Sequence, residues 1–283
     1  MISYTDYFSP EACSNRINAA LFDGDINEQQ IDGVNTFFDV YFHLYQHNID
    51  APISYLAYTL ATVFHETAKT MQPIAEYGKG KGHPYGEPDP ITGQTYYGRG
   101  HTQNTWKTNY ETLSQYLFDK DSSRGVDVVS HPDLLLEGFY SVQATLIGMT
   151  FGIYTGKKYS DYLDGQTPDY VNARRIINGK DRAELIAGYA VEFEKAIRIG
   201  MGQKVERSLV LVGSRGDDVR ELQLMLDINA DGSFGGDTKE AVISFQKANN
   251  LVADGKVGSK TWSALERELY WSELYEKSVF FNN

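Results

Sequence analysis

A single cysteine, Cys13, is all the thiol that the 283 residues offer. It closes no intrachain disulfide, which suits synthesis in a reducing cytoplasm. Long apolar runs are missing as well. The segment 144–154, "ATLIGMTFGIY", falls far short of the ~18 residues a bilayer span needs and reads as a buried helix. The opening "MISYTDYFSPEACSNR" has neither a basic n-region nor an apolar h-region, so no cleavable export signal is expected. Positive charge is scarce: 26 Lys+Arg stand against 38 Asp+Glu, a formal net of −12. That balance excludes a phosphate-neutralising nucleic-acid surface and argues against adhesion to anionic envelopes by bulk charge. Residues 207–283 carry nine Lys+Arg and twelve Asp+Glu, so only −3 of the −12 lies there. Whatever that part binds, it does not bind by charge in bulk.

What is present fits a packed globule: 41% hydrophobic and 13% aromatic residues. The 20 Tyr outnumber 14 Phe and 3 Trp. Tyrosine in glycine-rich loops suits carbohydrate, because a ring face stacks on sugar C–H groups while the hydroxyl bonds sugar hydroxyls; ordinary core and surface tyrosine is the plainer account.

Residues 9–200 read as mostly helical. Ser9-Pro10 is a cap followed by proline at the first helical position, and Asn27 with Gln30 forms a capping box. Thr167-Pro168 repeats the first device, and Asp181 with Glu184 caps "LIAGYAVEFEKAI". Between about 68 and 100 the periodicity stops in an irregular insertion rich in glycine and proline, of a length that compact domains keep for a function. After Gly200 a linker at 204–212 leads to a smaller helical unit. Val219, Leu222 and Leu226 share one helix face there, and Ala241, Val242 and Phe245 another. "ADGSFG" at 230–235 and "ADGKVG" at 253–258 are near-repeats 23 residues apart, each an Asp-Gly turn ahead of a helix.

The chemistry-bearing candidates are carboxylates. In a helix from about Ile53 to Thr67, Leu56, Leu60, Val63 and Phe64 make the core stripe, with Tyr55, Thr59 and Thr62 beside it as a polar stripe that ends at Glu66. A carboxyl at such a border, part-shielded by apolar neighbours, suits a general acid. The second carboxylate is Glu76 in "PIAEYG", with Glu87 in "YGEPDP" as the alternative; a solvated loop keeps such a group ionised for work as a base. A pair flanking a scissile oxygen is what glycosidic hydrolysis requires, and a wide pair leaves room for water and predicts inversion. "YYGRGHTQNTWKTNY", 96–110, is read as entering a helix at about His101, which would set Thr105 and Asn109 at i and i+4, able to aim one water.

"HET" at 65–67, "YYGRG" at 96–100 followed by Gln103 and "TWKTNY", and "RRIINGKDR" at 174–182 together resemble the family 19 glycoside hydrolases, the lysozyme-like fold of plant chitinases and many bacteriophage endolysins, over roughly 25–200. "MQPIAEYGKGKG" and "NGKDRAELIAGYA" bring it nearer the phage branch. The resemblance implies Glu66 as general acid, Glu76 as base, Thr105 as the water-orienting hydroxyl, and Tyr97, Arg99, Gln103, Asn109 and Asn178 as substrate-binding residues. His101, Thr102 and Asn104 depart from the family, which carries more apolar residues there.

Residues 213–266 resemble the three-helix peptidoglycan-binding module of wall hydrolases, with Phe234, Phe245 and Trp262 as its core. The zinc-protease pattern fails, since Lys69 stands where a second His is needed, and His43 with His47 lacks a third ligand. No phosphate loop or dinucleotide fingerprint is present, and the reading requires no metal or cofactor. The expectation is a mainly α protein: a lysozyme-like domain at 1–203, the linker, a peptidoglycan-binding domain at 213–268 and a tail at 269–283. It would be a monomeric endolysin, made in the host cytoplasm, that reaches peptidoglycan through a holin-type pore and cuts its β-1,4 bonds with inversion. A chitinase and a non-catalytic wall-binding virion protein are the alternatives.

Overall fold

The structure, a computed structural model, describes residues 8–45 and 52–280. Ten α-helices dominate the described residues: α1 (Pro10–Leu21), α2 (Glu28–Tyr45), α3 (Ile53–Glu66), α4 (Lys107–Leu113), α5 (Gly138–Phe151), α6 (Tyr170–Ala173), α7 (Ala183–Gly200), α8 (Asp217–Met225), α9 (Gly236–Ala248) and α10 (Ser259–Phe280). Two short strands, β1 (Ile74–Ala75) and β2 (Arg99–Gly100), pair antiparallel with Ile74 opposite Gly100. No helix among the described residues is long and apolar enough to cross a membrane.

These elements fall into two compact units, Glu28–Val191 and the remainder, with the division inside α7. In the first, α2 packs on α3 and α5. The expected apolar run is the heart of α5, buried from Ser141 to Met149. Tyr96, Tyr110, Leu113, Leu117, Val128, Leu135, Ala144 and Ile147 form a core cluster that fixes the loop between β2 and α5. The helix expected at Ile53 is α3, which is buried along nearly its whole length. Thr59 and Thr62 are both 0% exposed, so the predicted polar stripe faces the interior and not a groove. Thr59 Oγ1 donates back to the Tyr55 carbonyl at 2.7 Å, the way a buried helical threonine satisfies itself.

The second unit joins α1, the end of α7 and the C-terminal residues. Ser9 Oγ accepts the Ala12 N–H at 3.1 Å and Pro10 takes the first helical position, as its sequence dictates. The helix so started packs on α8 and α10. The expected domain boundary at 203 thus lies inside a compact unit. The 204–212 stretch, expected as a linker, is built into it: Val210 bridges Val257 in both directions (3.2 and 2.8 Å), and the Ser208 carbonyl accepts Trp262 Nε1–H at 3.0 Å. Phe234, Val242, Val257 and Trp262 are the core of this unit, with Phe245 packed against it. The tail from 269 continues α10 as far as Phe280.

One other local reading is corrected. The helix after Thr167-Pro168 is capped by Asp169, whose carboxylate accepts the Asn172 N–H at 3.0 Å. His43, which with His47 lacked a third metal ligand in the sequence, contacts Ser122 Oγ at 2.7 Å and packs beside Phe118; His47 lies outside the described residues.

The polar residues His101, Thr102 and Asn104 are interior. His101 is 2% exposed; its Nδ1 accepts the Ser141 hydroxyl at 2.7 Å and its Nε2 faces the Met71 carbonyl at 3.3 Å, an arrangement that suits the neutral ring. Thr102 meets the Thr145 and Tyr154 hydroxyls, and Asn104 Nδ2 donates to the Arg99 carbonyl. Burial holds the His101 imidazole down at about 4, against an ordinary 6.5, with the bonds to Met71 and Ser141 opposing. Because the folded value is the lower one, the unfolded chain takes up the proton first as pH falls. Stability is therefore whole above pH 6.5 and lost on the way to pH 4, by on the order of 3 kcal/mol. Urea unfolding of the 28–191 unit between pH 7 and 4 should show this acid limb, and NMR titration should show the His101 ring uncharged at pH 5.5.

Candidate active site

Glu66 ends α3, and its carboxylate accepts Arg174 Nη1–H at 2.7 Å. Arg174 is 3% exposed on its side chain while Glu66 is 28% exposed, so the guanidinium holds the carboxylate from inside and leaves its outer edge to solvent. Arg174 is fixed in turn by its Nε–H to the Asp181 carbonyl at 2.9 Å. The Tyr58 and Thr62 hydroxyls lie buried on the same helix, and the Tyr58 phenol is pushed up to about 12, first by burial and further by the Glu66 charge, with Thr62 and Arg174 opposing. Arg174 went unassigned on sequence although its motif, "RRIINGKDR", was in view; the pair spans 108 residues, which no local pattern reveals.

Glu76 follows β1 directly. Its N–H donates to the Gly98 carbonyl at 2.7 Å, its Oε2 accepts the Gly98 N–H at 3.0 Å and its Oε1 accepts the Tyr85 hydroxyl at 3.0 Å. The carboxylate is thereby held half-buried across the end of the small sheet. Tyr85 was not foreseen. Its phenol is raised, by desolvation first and then by the Glu76 carboxylate. Glu87, the alternative base, is exposed beyond the 84–86 turn, and only Glu76 has these fixed donors around its side chain.

The segment after β2 differs from expectation. α4 begins at Lys107, six residues after His101, so Thr105 precedes the helix. Gln103 (φ 52°) and Trp106 (φ 73°) both take left-handed backbone, unusual for side chains of this size and costly by about 1–3 kcal/mol each. Thr105 stands between them. Its hydroxyl donates to the Gln103 carbonyl at 2.9 Å, and Asn109 Nδ2 donates to the Thr105 carbonyl at 2.8 Å. The Thr105–Asn109 link survives, through main chain and not through a shared helix face. A Cβ on Gly98 would lie 2.8 Å from Gln103 Oε1 and 3.3 Å from Thr105 Oγ1; glycine there lets the Glu76-binding N–H, Gln103 and Thr105 converge. Gln103 is anchored by Nε2 to the Ile74 and Gly100 carbonyls. Trp106, 50% exposed, meets Tyr85 edge-on at 5.1 Å, and Tyr85 stacks with His83, so an aromatic wall borders Glu76.

Two residues expected to bind substrate are interior. Arg99 (3% exposed) lies 3.5 Å over the Tyr97 ring (5% exposed), and its guanidinium reaches Asp133, the Thr95 carbonyl and the Tyr110 hydroxyl. Through these bonds the pair holds the base of the loop. Asn178 is exposed just past Arg174, its side chain accepting the Gly179 N–H and its own N–H bonded to the Arg174 carbonyl. The site residues therefore form two groups: Glu66, Arg174 and Asn178, and Glu76 with Tyr85, Gly98, Gln103, Thr105 and Asn109.

The insertion that presents Tyr85 is tied at Asp89, which accepts the Ile91 and Thr92 N–H groups and Lys107 Nζ at 2.9 Å. These bonds, that from the Thr92 backbone foremost, hold Asp89 down at about 2, below its ordinary 3.8. The tie is thus complete above pH 3.8 and lost as pH falls through about 2. Asp89→Ala should speed amide exchange at Ile91 and Thr92 without unfolding the unit.

Residues 215–265 match the family described as "Putative peptidoglycan binding domain". A bacterial family 19 chitinase of known structure is similar at 18% identity, over 71% of this chain and 98% of that one, with a TM-score of 0.41.

Proposed function

We propose that residues 28–191 hydrolyse β-1,4 glycosidic bonds of bacterial peptidoglycan and that the 215–265 segment keeps the enzyme on the wall. The observation that carries this is the pair of fixed, part-exposed carboxylates: Glu66 on a buried guanidinium, Glu76 on a backbone N–H and a phenol. Glu66 gives its proton to the leaving oxygen as the C1–O bond breaks. Glu76 takes a proton from the water whose oxygen bonds C1 from the opposite face, and the charge that builds on the ring is spread as in an oxocarbenium ion. The Thr105 hydroxyl, which spends its hydrogen on Gln103, keeps its lone pairs for that water, and the Asn109 side-chain amide oxygen is a second acceptor. Exposed Trp106 and His83 offer ring faces to sugar. Exchange with solvent resets both carboxyls.

The biological reading is an endolysin that lyses its host after a holin-type pore gives access to the wall. The test is turbidity loss of outer-membrane-stripped Gram-negative cells, with colloidal chitin in parallel. Lysis of cells with little release from chitin supports the wall enzyme, and the reverse supports a chitinase. The first product should carry inverted anomeric configuration in proton NMR spectra taken before mutarotation; retained configuration contradicts the water-activating role of Glu76.

A further inference from the structure

The 23-residue repeat of the C-terminal unit extends to its hydrogen bonds. Gln223 Nε2 donates to Asp231 Oδ1, the Ser233 carbonyl and Thr238 Oγ1 (2.8, 3.1 and 3.0 Å), while its Oε1 accepts the Gly232 N–H at 2.8 Å. Gln246 Nε2 donates to Asp254 Oδ1, the Lys256 carbonyl and Thr261 Oγ1 (3.3, 2.8 and 3.2 Å), while its Oε1 accepts the Gly255 N–H at 2.9 Å. Both glutamines are buried, at 2% and 1% exposed. The molecule therefore contains one scaffold twice: an Asp-Gly turn locked by a buried glutamine onto the start of the next helix.

The linings of the two copies differ. Over the second turn lies a cavity of about 310 Å³, lined in part by Leu251, Val252, Lys256, Ser259 and Lys260. Twenty-three residues earlier the corresponding positions hold Ile228, Asn229, Ser233, Gly236 and Asp237. A neutral and an acidic residue have become two lysines, and an amide has become valine, 80% exposed at the cavity. Asp254, the acid of this copy, also lines the cavity, but its Oδ1 accepts the Gln246 amide and the Lys256 N–H of its own loop, so the charged side chains of the lining are two lysines and one carboxylate already bonded. Ser259 and Lys260 open α10, so unbonded backbone N–H groups of a helix start add to the two ammonium groups. In a chain of net charge −12 this is a local site for an anion with an apolar flank.

We infer that the second-repeat cavity binds the carboxylate of a peptidoglycan stem peptide, held by Lys256, Lys260 and the start of α10, with a small aliphatic side chain such as that of alanine against Leu251 and Val252. The inference rests on the wall reading above and adds to it that recognition is of peptide, not of glycan alone. The first repeat supplies the control residues.

The experiment is co-sedimentation of the full chain carrying Glu66→Gln, so that the wall is bound and not digested. The targets are purified Gram-negative sacculi coupled to beads through their glycan, and the same beads after an amidase has removed the stem peptides. Lys256→Ser with Lys260→Asp writes the first repeat's residues into the second at two exposed positions. It should weaken binding to intact sacculi at least about tenfold. Lys247→Asp with Arg267→Ser, an equal charge change elsewhere on the unit, should not. The parent should lose a similar factor on stripped glycan, where the two variants then bind alike. Equal binding of the cavity variant and the parent to intact sacculi overturns the site. Undiminished binding of the parent to stripped glycan overturns the peptide assignment while leaving wall binding intact. A parent that does not sediment with sacculi at all overturns the wall reading and this inference with it.

Discussion

Glu66→Gln is expected to lower the rate of wall hydrolysis by about 10²–10⁴ while leaving the fold and wall binding unchanged, because an amide keeps the shape and gives no acid proton. The amide oxygen can still accept Arg174 Nη1–H, so the buried guanidinium keeps a partner and the end of α3 its geometry. Loss should fall on kcat and not on KM, since the proton moves only as the bond breaks. Sedimentation with sacculi should not change, because residues 215–265 are untouched. A variant that retains activity within severalfold of wild type would remove Glu66 from the chemistry, whatever its pairing. Arg174→Ala is a different test. It frees the carboxylate and leaves the Asp181 carbonyl without its donor, so both stability and rate should fall.

Arg207→Ala is expected to destabilise the C-terminal unit by about 3–5 kcal/mol, the scale found when one member of a buried ion pair is removed. Arg207 is 4% exposed on its side chain and Glu221 1%; the guanidinium grips Glu221, with Nη2 at 2.8 Å from its Oε1, reaches Glu266 at 2.9 Å through Nε and lies 4.6 Å over the Trp262 ring. Truncation leaves Glu221 with only Arg16, at 3.2 Å, and leaves Glu266 desolvated with its main counter-charge gone. Arg16 already serves Glu192 and Asp218, so it cannot take over. Hydrogen exchange along 217–265 should report the loss, and α1 should lose protection too because Arg16 ties it to the same carboxylate. A loss below about 1 kcal/mol would class the cluster with solvent-exposed pairs.

What the sequence disclosed and what it hid follow from the range of the interactions. Ser9-Pro10 acts within one turn and was legible, as were α3 with Glu66 at its end and the core positions Val219, Leu222, Phe234 and Trp262, which periodicity and turn chemistry place. The start of α4 was misread because Gln103 and Trp106 adopt left-handed backbone without being glycine, and nothing in their identity announces it. Tyr97 and Arg99 looked like groove residues because an arginine beside aromatics in a glycine-rich loop has the same signature whether it faces sugar or Asp133 and Tyr110. Arg174 on Glu66, and Arg16 on Glu221, join residues more than 100 apart. The Asp-Gly repeat was visible, whereas the glutamines that lock it were not, since a buried Gln reads as a helix-surface residue until its four bonds are seen.

The central claim is that glycan is cut by the Glu66–Glu76 pair. It is tested most directly by digesting purified sacculi, reducing the soluble products with borohydride and identifying their ends by mass spectrometry. The account predicts new reducible hexosamine ends with wild-type protein and none with Glu66→Gln. Products whose glycan ends are unchanged but which carry new peptide amino termini, or hexosamine ends released equally by Glu66→Gln, would contradict it.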